Sequence, residues 1–166
     1  MTYRANDLTN DREYILECHC RVNYECDTPR ARAISYAQYR ANWFNMPGQI
    51  AEFWGALTES MQDPRTIAEL IIDSNGEIAG YFWARFYENA ETKFAWLDLD
   101  DLYIEERYRR QGLAAKWLTR AEAHARNCGA NVLRSGTGCE NTASKALQEG
   151  LGFYQYRYEF EKVLES

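Results

Sequence analysis

The chain has little that would tie it to a membrane, a disulfide scaffold or a metal. No apolar run in its 166 residues approaches the ~20 needed to span a bilayer, so no membrane association is expected. The opening stretch MTYRANDLTNDRE lacks the apolar core of a secretory signal, so a cytoplasmic location is expected. Five cysteines are an odd number for a disulfide framework and read as reduced thiols. The stretch CHCRVNYEC, from Cys18 to Cys26, falls in an expected helix, where positions i and i+2 point to different faces, and no second paired-cysteine knuckle follows it. These cysteines are read as small core hydrophobes, with no metal expected. No internal repeat, low-complexity segment or Pro/Gly-rich linker divides the chain, which is expected to be a single domain over residues 1–166. That length can bury a full core without cross-links.

What is present is an uneven distribution of charge. The net charge is −6, yet residues 51–106 hold thirteen acids against three bases, and residues 107–134 hold seven bases against one acid. A general nucleic-acid binder would need a broad basic face on a far less acidic chain, so no nucleic-acid partner is expected. A local basic patch beside a local acidic one points instead to two small charged ligands.

The pattern of elements runs β, helices, βββ, α, β, α, β. Thr2–Asn6 is a short strand, and Asn10 with Glu13 forms a capping pair for a helix running to about Tyr24. Residues 32–61 are helical but broken at Met46-Pro47-Gly48, because proline cannot continue a helix. The aromatics Tyr36, Tyr39, Trp43, Phe44, Phe53 and Trp54 in these helices are read as core. Thr66–Asp73 and Glu77–Tyr87 are strands around an Asn75-Gly76 hairpin turn, and Lys93–Ile104 completes an antiparallel meander. A helix over Gly112–Asn127 follows, with Leu113, Trp117, Leu118, Ala121 and Cys128 recurring at helical spacing. Then come a strand over Asn131–Ser135, a helix over Asn141–Glu149 with Asn141 as N-cap, and a final strand or hairpin over Phe153–Leu164. The sum is an α/β domain with a mixed sheet.

The segment LYIEERYRRQGLAAKWL places Arg107, Arg109 and Arg110 in front of Gly112, between a strand and a helix start. Unpaired N–H groups at the positive end of a helix dipole make an anion site, and glycine lets the backbone approach a phosphate closely. A pyrophosphate is the expected ligand. The segment has neither the second glycine and Gly-Lys-Ser/Thr of a Walker A loop nor the three glycines of a dinucleotide fingerprint.

Arg109-Arg110-Gln111-Gly112-Leu113-Ala114 resembles the Arg/Gln-x-x-Gly-x-Gly/Ala motif of the GCN5-related N-acetyltransferases, the GNAT superfamily. Asn141-x-x-Ser144-x-x-Leu147 and Leu151-Gly152-Phe153 resemble its second signature, at the right spacing and on the right elements. The resemblance implies a mixed, mostly antiparallel central sheet with helices on both faces. It implies acetyl-CoA as acyl donor, lying between the central strand and its parallel neighbour. Backbone groups of Leu102, Tyr103 and Ile104 would pair with the pantetheine arm. The loop at Arg109, Arg110, Gln111, Gly112, Leu113 and Ala114 would hold the pyrophosphate, and Asn141 and Ser144 would contact the cofactor. A small-molecule or peptide amine would attack the thioester directly, its pocket built by residues of about 24–60. A homodimer is left open.

The attacking amine must lose a proton. Asp98 stands four residues before Leu102, where some relatives carry a general-base glutamate. Asp98 is expected as base and Asp100 as base or substrate anchor. Strand alternation puts these two on one face and Asp101 on the other, unless a bulge, which is common in this strand of the family, disturbs the count. The family's acid tyrosine is replaced here by Gln148, which cannot act as an acid, so water, Tyr154 or the Ser144 hydroxyl must protonate the CoA thiolate. Glu106 stands where many members carry proline. His19 and His124 match no catalytic position. The reading is an N-acetyltransferase, with a non-catalytic acyl-CoA-binding regulatory domain as the alternative.

Overall fold

The computed structural model describes residues 1–162 and Leu164. Five strands form one sheet in the order β1 (Thr2–Ala5), β2 (Ile67–Ile72), β3 (Ile78–Asn89), β4 (Phe94–Ile104) and β5 (Val132–Ser135). Every neighbouring pair is antiparallel except β4 with β5, which is parallel. Five helices accompany it: α1 (Arg12–Cys26), α2 (Tyr36–Asn45), α3 (Gln49–Ser60), α4 (Leu113–Asn127) and α5 (Thr142–Gly150). This is the expected mixed α/β architecture. None of the described helices is long and apolar enough to cross a membrane.

The sheet is covered on both faces. One face carries Ile67, Ile71, Phe82, Ala84, Leu97 and Leu99 against Leu113, Trp117, Leu118 and Ala121 of α4. The other carries Leu70, Tyr81 and Trp83 against Ile15, Leu16, Trp43, Phe53 and Leu57 of α1–α3. Strand β3 is buried without a break from Ala79 to Ala84, as a strand covered on both sides must be. Trp117 anchors the α4 side. It is fully buried, stacks on Phe82 at 4.2 Å, and donates from its indole to Glu69 at 2.7 Å. Arg120 adds two bonds to that same buried carboxylate, at 3.0 and 3.1 Å. A carboxylate taken out of water thus has its partners.

Several local expectations hold. The proline-glycine break separates α2 from α3, with Gly48 left-handed at φ 82°. The hairpin is closed by Asp73, whose side chain accepts from the N–H groups of Asn75 (2.7 Å) and Glu77 (2.9 Å). Asn141 caps α5 by accepting from the Ser144 N–H at 3.1 Å. Cys18 and Cys20 are both buried in the α1 core, and burial pushes their thiols upward, Cys20 to about 11.

Two expectations are corrected. The residue before α1 is Asp11 rather than Asn10, and its carboxylate does not cap the helix. It instead receives the Arg4 guanidinium in two bonds of 2.9 Å and the Asp7 N–H at 2.7 Å, tying β1 to α1. The final strand is absent over residues 153–162, where Tyr154, Tyr156, Tyr158 and Phe160 are all exposed. Alternating aromatics supply the strand period, but a strand also needs a backbone partner, and sequence period alone does not provide one. Val163, within the same expected strand, lies outside the described residues.

Replacing Trp117 with alanine removes both the Phe82 stack and a partner of the buried Glu69. It should cost about 3–5 kcal/mol, measured as a lowered denaturation midpoint with α/β circular dichroism retained below it.

Candidate functional site

The site begins where β4 loses one neighbour. Pairing with β5 runs from Trp96–Val132 to Leu99–Ser135 and stops. On its other edge β4 stays paired with β3 through Ile104–Gly80. Asp100 to Ile104 therefore present backbone groups with no strand beside them on the β5 side. Gly80 permits the close approach at the strand end: a Cβ there would lie 2.6 Å from the Tyr103 carbonyl oxygen.

The basic segment turns this open edge toward α4. A 3-10 turn over Glu106–Tyr108 leaves the strand. Its side chains hold the loop in place. The Tyr108 hydroxyl donates to Asp73 at 2.6 Å, the Arg109 guanidinium donates to the Ile104 carbonyl at 2.9 Å, and the Gln111 amide donates to the Arg107 carbonyl at 3.0 Å. Arg110 and Gly112 are left-handed, at φ 61° and 75°. A non-glycine residue in that region is uncommon and marks a backbone held by its surroundings. The first α4 bond is Lys116 N–H to the Gly112 carbonyl at 3.0 Å. The N–H groups of Leu113, Ala114 and Ala115 thus lack an intrahelical acceptor. The Leu113 side chain is buried in the core while Arg107, Arg109 and Arg110 are exposed, so the backbone is anchored and the charge lies outside.

The opposite wall comes from the β5–α5 segment. A Cβ on Gly138 would lie 2.7 Å from the Cys26 carbonyl oxygen, so this loop lies directly against the end of α1. The Ser144 hydroxyl accepts from the Gln148 amide at 3.0 Å. Tyr154 is 81% exposed in the segment after α5.

The acids gather on the α1–α3 face. Trp83 pairs with Asp101 and Ala84 with Leu99, so Asp100 is an extra residue in β4, a bulge. Asp98 pairs with Arg85, two residues from Trp83, so Asp98 and Asp101 share a face. Plain alternation, which would separate them, is thereby corrected. Asp100 is held by both ends of the Arg85 guanidinium, its Nε at 2.8 Å. Burial raises the Asp100 carboxyl above the usual carboxylate range, against the opposing pull of Arg85. Among the described residues, Asp98 has no hydrogen-bonded or ionic partner.

Sequence reasoning missed His19. Its Nδ1 lies 2.9 and 3.0 Å from the two oxygens of Asp101, which is only 1% exposed. Its ring stacks on Phe53 at 3.7 Å, and its Nε2 meets the Asn23 amide at 3.0 Å. A signal was available: His19 follows Ile15 and Leu16 by four and three positions, on the buried stripe of α1, where a polar ring needs a partner. The partner, 82 positions away, was not readable. Asn23 also lines a cavity of about 600 Å³ with Asp27, Tyr39, Trp43 and Met46. The Trp43 indole nitrogen and the Tyr81 hydroxyl are both buried without a partner among the described residues.

A divergent parallel pair, a helix start beneath it and the two sequence blocks on α4 and α5 coincide with a family-level match. The acetyltransferase (GNAT) family model covers residues 28–153. The chain belongs to this family. The L-methionine sulfoximine/L-methionine sulfone acetyltransferase of Salmonella typhimurium is 31% identical over 88 residues, which span 51% of this chain and 48% of that protein. This chain thus matches about half the length of that curated relative. Among solved structures, a mutant Bacillus halodurans protein superposes with a TM-score of 0.72 at 15% identity, covering 99% of this chain and all of that one. An aminoglycoside acetyltransferase from an uncultured soil sample gives 0.62 at 18%, again covering 99% of this chain and 100% of its own. At such identities the likeness is one of fold, and this GNAT domain shares it end to end.

Arg85→Met should leave the Asp100 carboxyl buried with its counter-charge gone. Its folded pKa then rises further above the unfolded value, so protons bind the native state more tightly. Relative to the parent chain, stability should fall as pH is raised from about 4 to about 7, read as urea midpoints across that range.

Proposed function

We propose that this chain is an acetyl-CoA-dependent N-acetyltransferase acting on a primary amine of a small cationic molecule or a peptide. The observation that carries the reading is the open edge of β4 from Asp100 to Ile104, with the α4 start at one end and a partnerless carboxylate at the other. Acetyl-CoA fits this edge. The backbone of Leu102, Tyr103 and Ile104 offers groups to an amide-bearing arm, the Ile104 carbonyl already accepting from Arg109. The N–H groups at Gly112, Leu113 and Ala114 offer donors to a pyrophosphate, and Arg109, Arg110 and Gln111 add charge and polarity around it. Asn141 and Ser144 stand at the α5 start on the facing wall.

The acid face accounts for the acceptor. Asp98 is the base, being free of any partner that would compete for the proton, and Asp100, fixed by Arg85, is the anchor that adds negative potential. The amine nitrogen attacks the thioester carbonyl, a C–N bond forms and the C–S bond breaks. The Ser144 hydroxyl already accepts from Gln148, which leaves its own proton free to donate toward the departing thiolate. Exposed Tyr154 and water are the other donors.

Gln148 favours the second reading, an acyl-CoA-binding regulatory domain without turnover, because an amide occupies the place of the acid tyrosine that the resemblance implies. Turnover separates the two. Acetyl-CoA should raise the unfolding midpoint with a dependence on its concentration, and thiol release should require an added amine. Stabilisation with no release from any amine would select the regulatory reading. No stabilisation would defeat both.

Gly112→Val places a β-branched residue at φ 75° and should weaken acetyl-CoA binding about tenfold or more, measured by calorimetry. Asp98→Asn should lower kcat roughly 100-fold with acetyl-CoA affinity unchanged; wild-type rates at every pH would remove Asp98 from the chemistry.

A further inference from the structure

We propose that His19, oriented by Asp101, is a second catalytic proton acceptor: it takes the first proton from the acceptor's ammonium group as the amine enters from the Asn23–Trp43 cavity. The proposal rests on the N-acetyltransferase reading and adds a step to it. An ammonium must shed two protons before it becomes an amide. Asp98 accounts for one, and the first must be gone before the nitrogen has a lone pair with which to attack.

The geometry supplies the acceptor. An ionised carboxylate only accepts hydrogen bonds, so the two Asp101 oxygens at 2.9 and 3.0 Å fix the proton on His19 Nδ1. Nε2 is then the basic nitrogen. It faces the Asn23 amide at 3.0 Å, and Asn23 lines the cavity of about 600 Å³. A side-chain amide on the same helix is a neutral placeholder that an entering ammonium, a stronger donor, displaces. The Phe53 stack at 3.7 Å and the Trp43 edge at 5.7 Å hold the ring plane. Trp43 lines the same cavity, and its buried indole N–H has no partner among the described residues.

The groups around the dyad are mostly acidic: Asp98 and Asp100 lie close enough on β4 to act on one another and on Asp101, and Glu17 and Glu105 act on the neighbouring Cys18. Strand β4 contributes Asp101 to the ring. Strand β3 contributes Tyr81 and helix α1 contributes Cys18, and burial keeps both uncharged near neutral pH. Helices α2 and α3 contribute the aromatic rings of Trp43 and Phe53. Asp100, next to Asp101 in the chain, is already engaged by Arg85. With its Nδ1 proton held by Asp101, the free ring nitrogen can receive a proton from an ammonium and pass it to water each cycle. The steps balance. One proton passes from the ammonium to Nε2, the neutral amine attacks, and the second proton passes to Asp98 as the C–S bond breaks. The thiolate is protonated from a hydroxyl or water, and both acceptors then discharge to solvent.

Asp101 is a positioning residue in this scheme, and its loss should share the His19 signature. The test is kcat/KM against pH for His19→Gln, Asp101→Asn and Asp98→Asn, each checked for folding by its thermal shift with acetyl-CoA. His19→Gln should lose roughly 100-fold at neutral pH and recover most of it as pH approaches the amine's own pKa, because the amine then arrives already neutral. Asp101→Asn should behave alike, and Asp98→Asn should show no such recovery. A His19→Gln defect equal at every pH, or no defect, overturns the proposal while leaving the acetyltransferase intact. A parent chain that binds acetyl-CoA and transfers to no amine defeats the acetyltransferase reading, and the role of His19 falls with it. The tautomer gives a readout free of turnover. The chain has two histidines, so ¹⁵N imidazole shifts, assigned with His124→Gln, should show His19 protonated on Nδ1; protonation on Nε2 alone overturns the proposal.

Discussion

A strand with one neighbour along its whole length and another along only its first part leaves backbone groups without a strand partner, and β4 does so from Asp100 onward, where only the Ile104 carbonyl is met by a side chain, that of Arg109. In a protein interior such groups are costly unless something pairs with them. Here they form an edge with no strand beside it, where water or an extended, amide-bearing ligand can serve. The other parts of the site follow from this. Gly80 lets β3 hold the far end of β4 in place despite the missing neighbour. The Tyr108–Asp73 and Arg109–Ile104 bonds fold the connection back so that α4 starts beside the bare edge. Gly138 brings the β5–α5 loop against the end of α1.

Charge is arranged to different ends around that edge. The three arginines before α4 are exposed, and what they offer is field and accessible donors. The acids of β4 are drawn inward and matched one by one: Asp101 to His19, Asp100 to Arg85. The same economy governs the scaffold, where Glu69 meets Trp117 and Arg120, and Asp11 meets Arg4. A carboxylate removed from water must find a cation or donors, so Asp98, partly exposed and unmatched among the described residues, is conspicuous by contrast.

Local signals carried most of this architecture in the sequence. Period, caps and turn residues located the helices and the meander within a few positions, and the glycine after the arginines marked the α4 start. What escaped was non-local. The bulge at Asp100 depends on the register with β3, which no single strand announces. His19 and Asp101 are brought together by the packing of α1 on β4 across most of the chain. The Phe153–Leu164 stretch shows the converse case: its alternation is clear, yet residues 153–162 are not in the sheet, because a strand is defined by what it pairs with. The Asn10 cap failed for a similar reason. The Asn10 amide donates to Asp7, and Asp11, which precedes the helix, is taken by Arg4 of β1, a competitor invisible to a reading of the helix alone.

The bulge in β4 also bears on how such a chain can change over evolutionary time. The two halves of the strand are out of phase, and the single extra residue keeps Leu97 and Leu99 in one core while Asp98 and Asp101 face the other way. A substitution within this stretch alters one side chain and leaves the rest where they were. Deleting one residue would restore plain alternation and rotate every later position by half a turn, sending Leu102 and Ile104 to the face now held by Asp101 and Tyr103. Drift by substitution is therefore open to this strand while change of length is closed. Lineages descended from this chain should vary in what β4 spells long before they vary in how many letters it has.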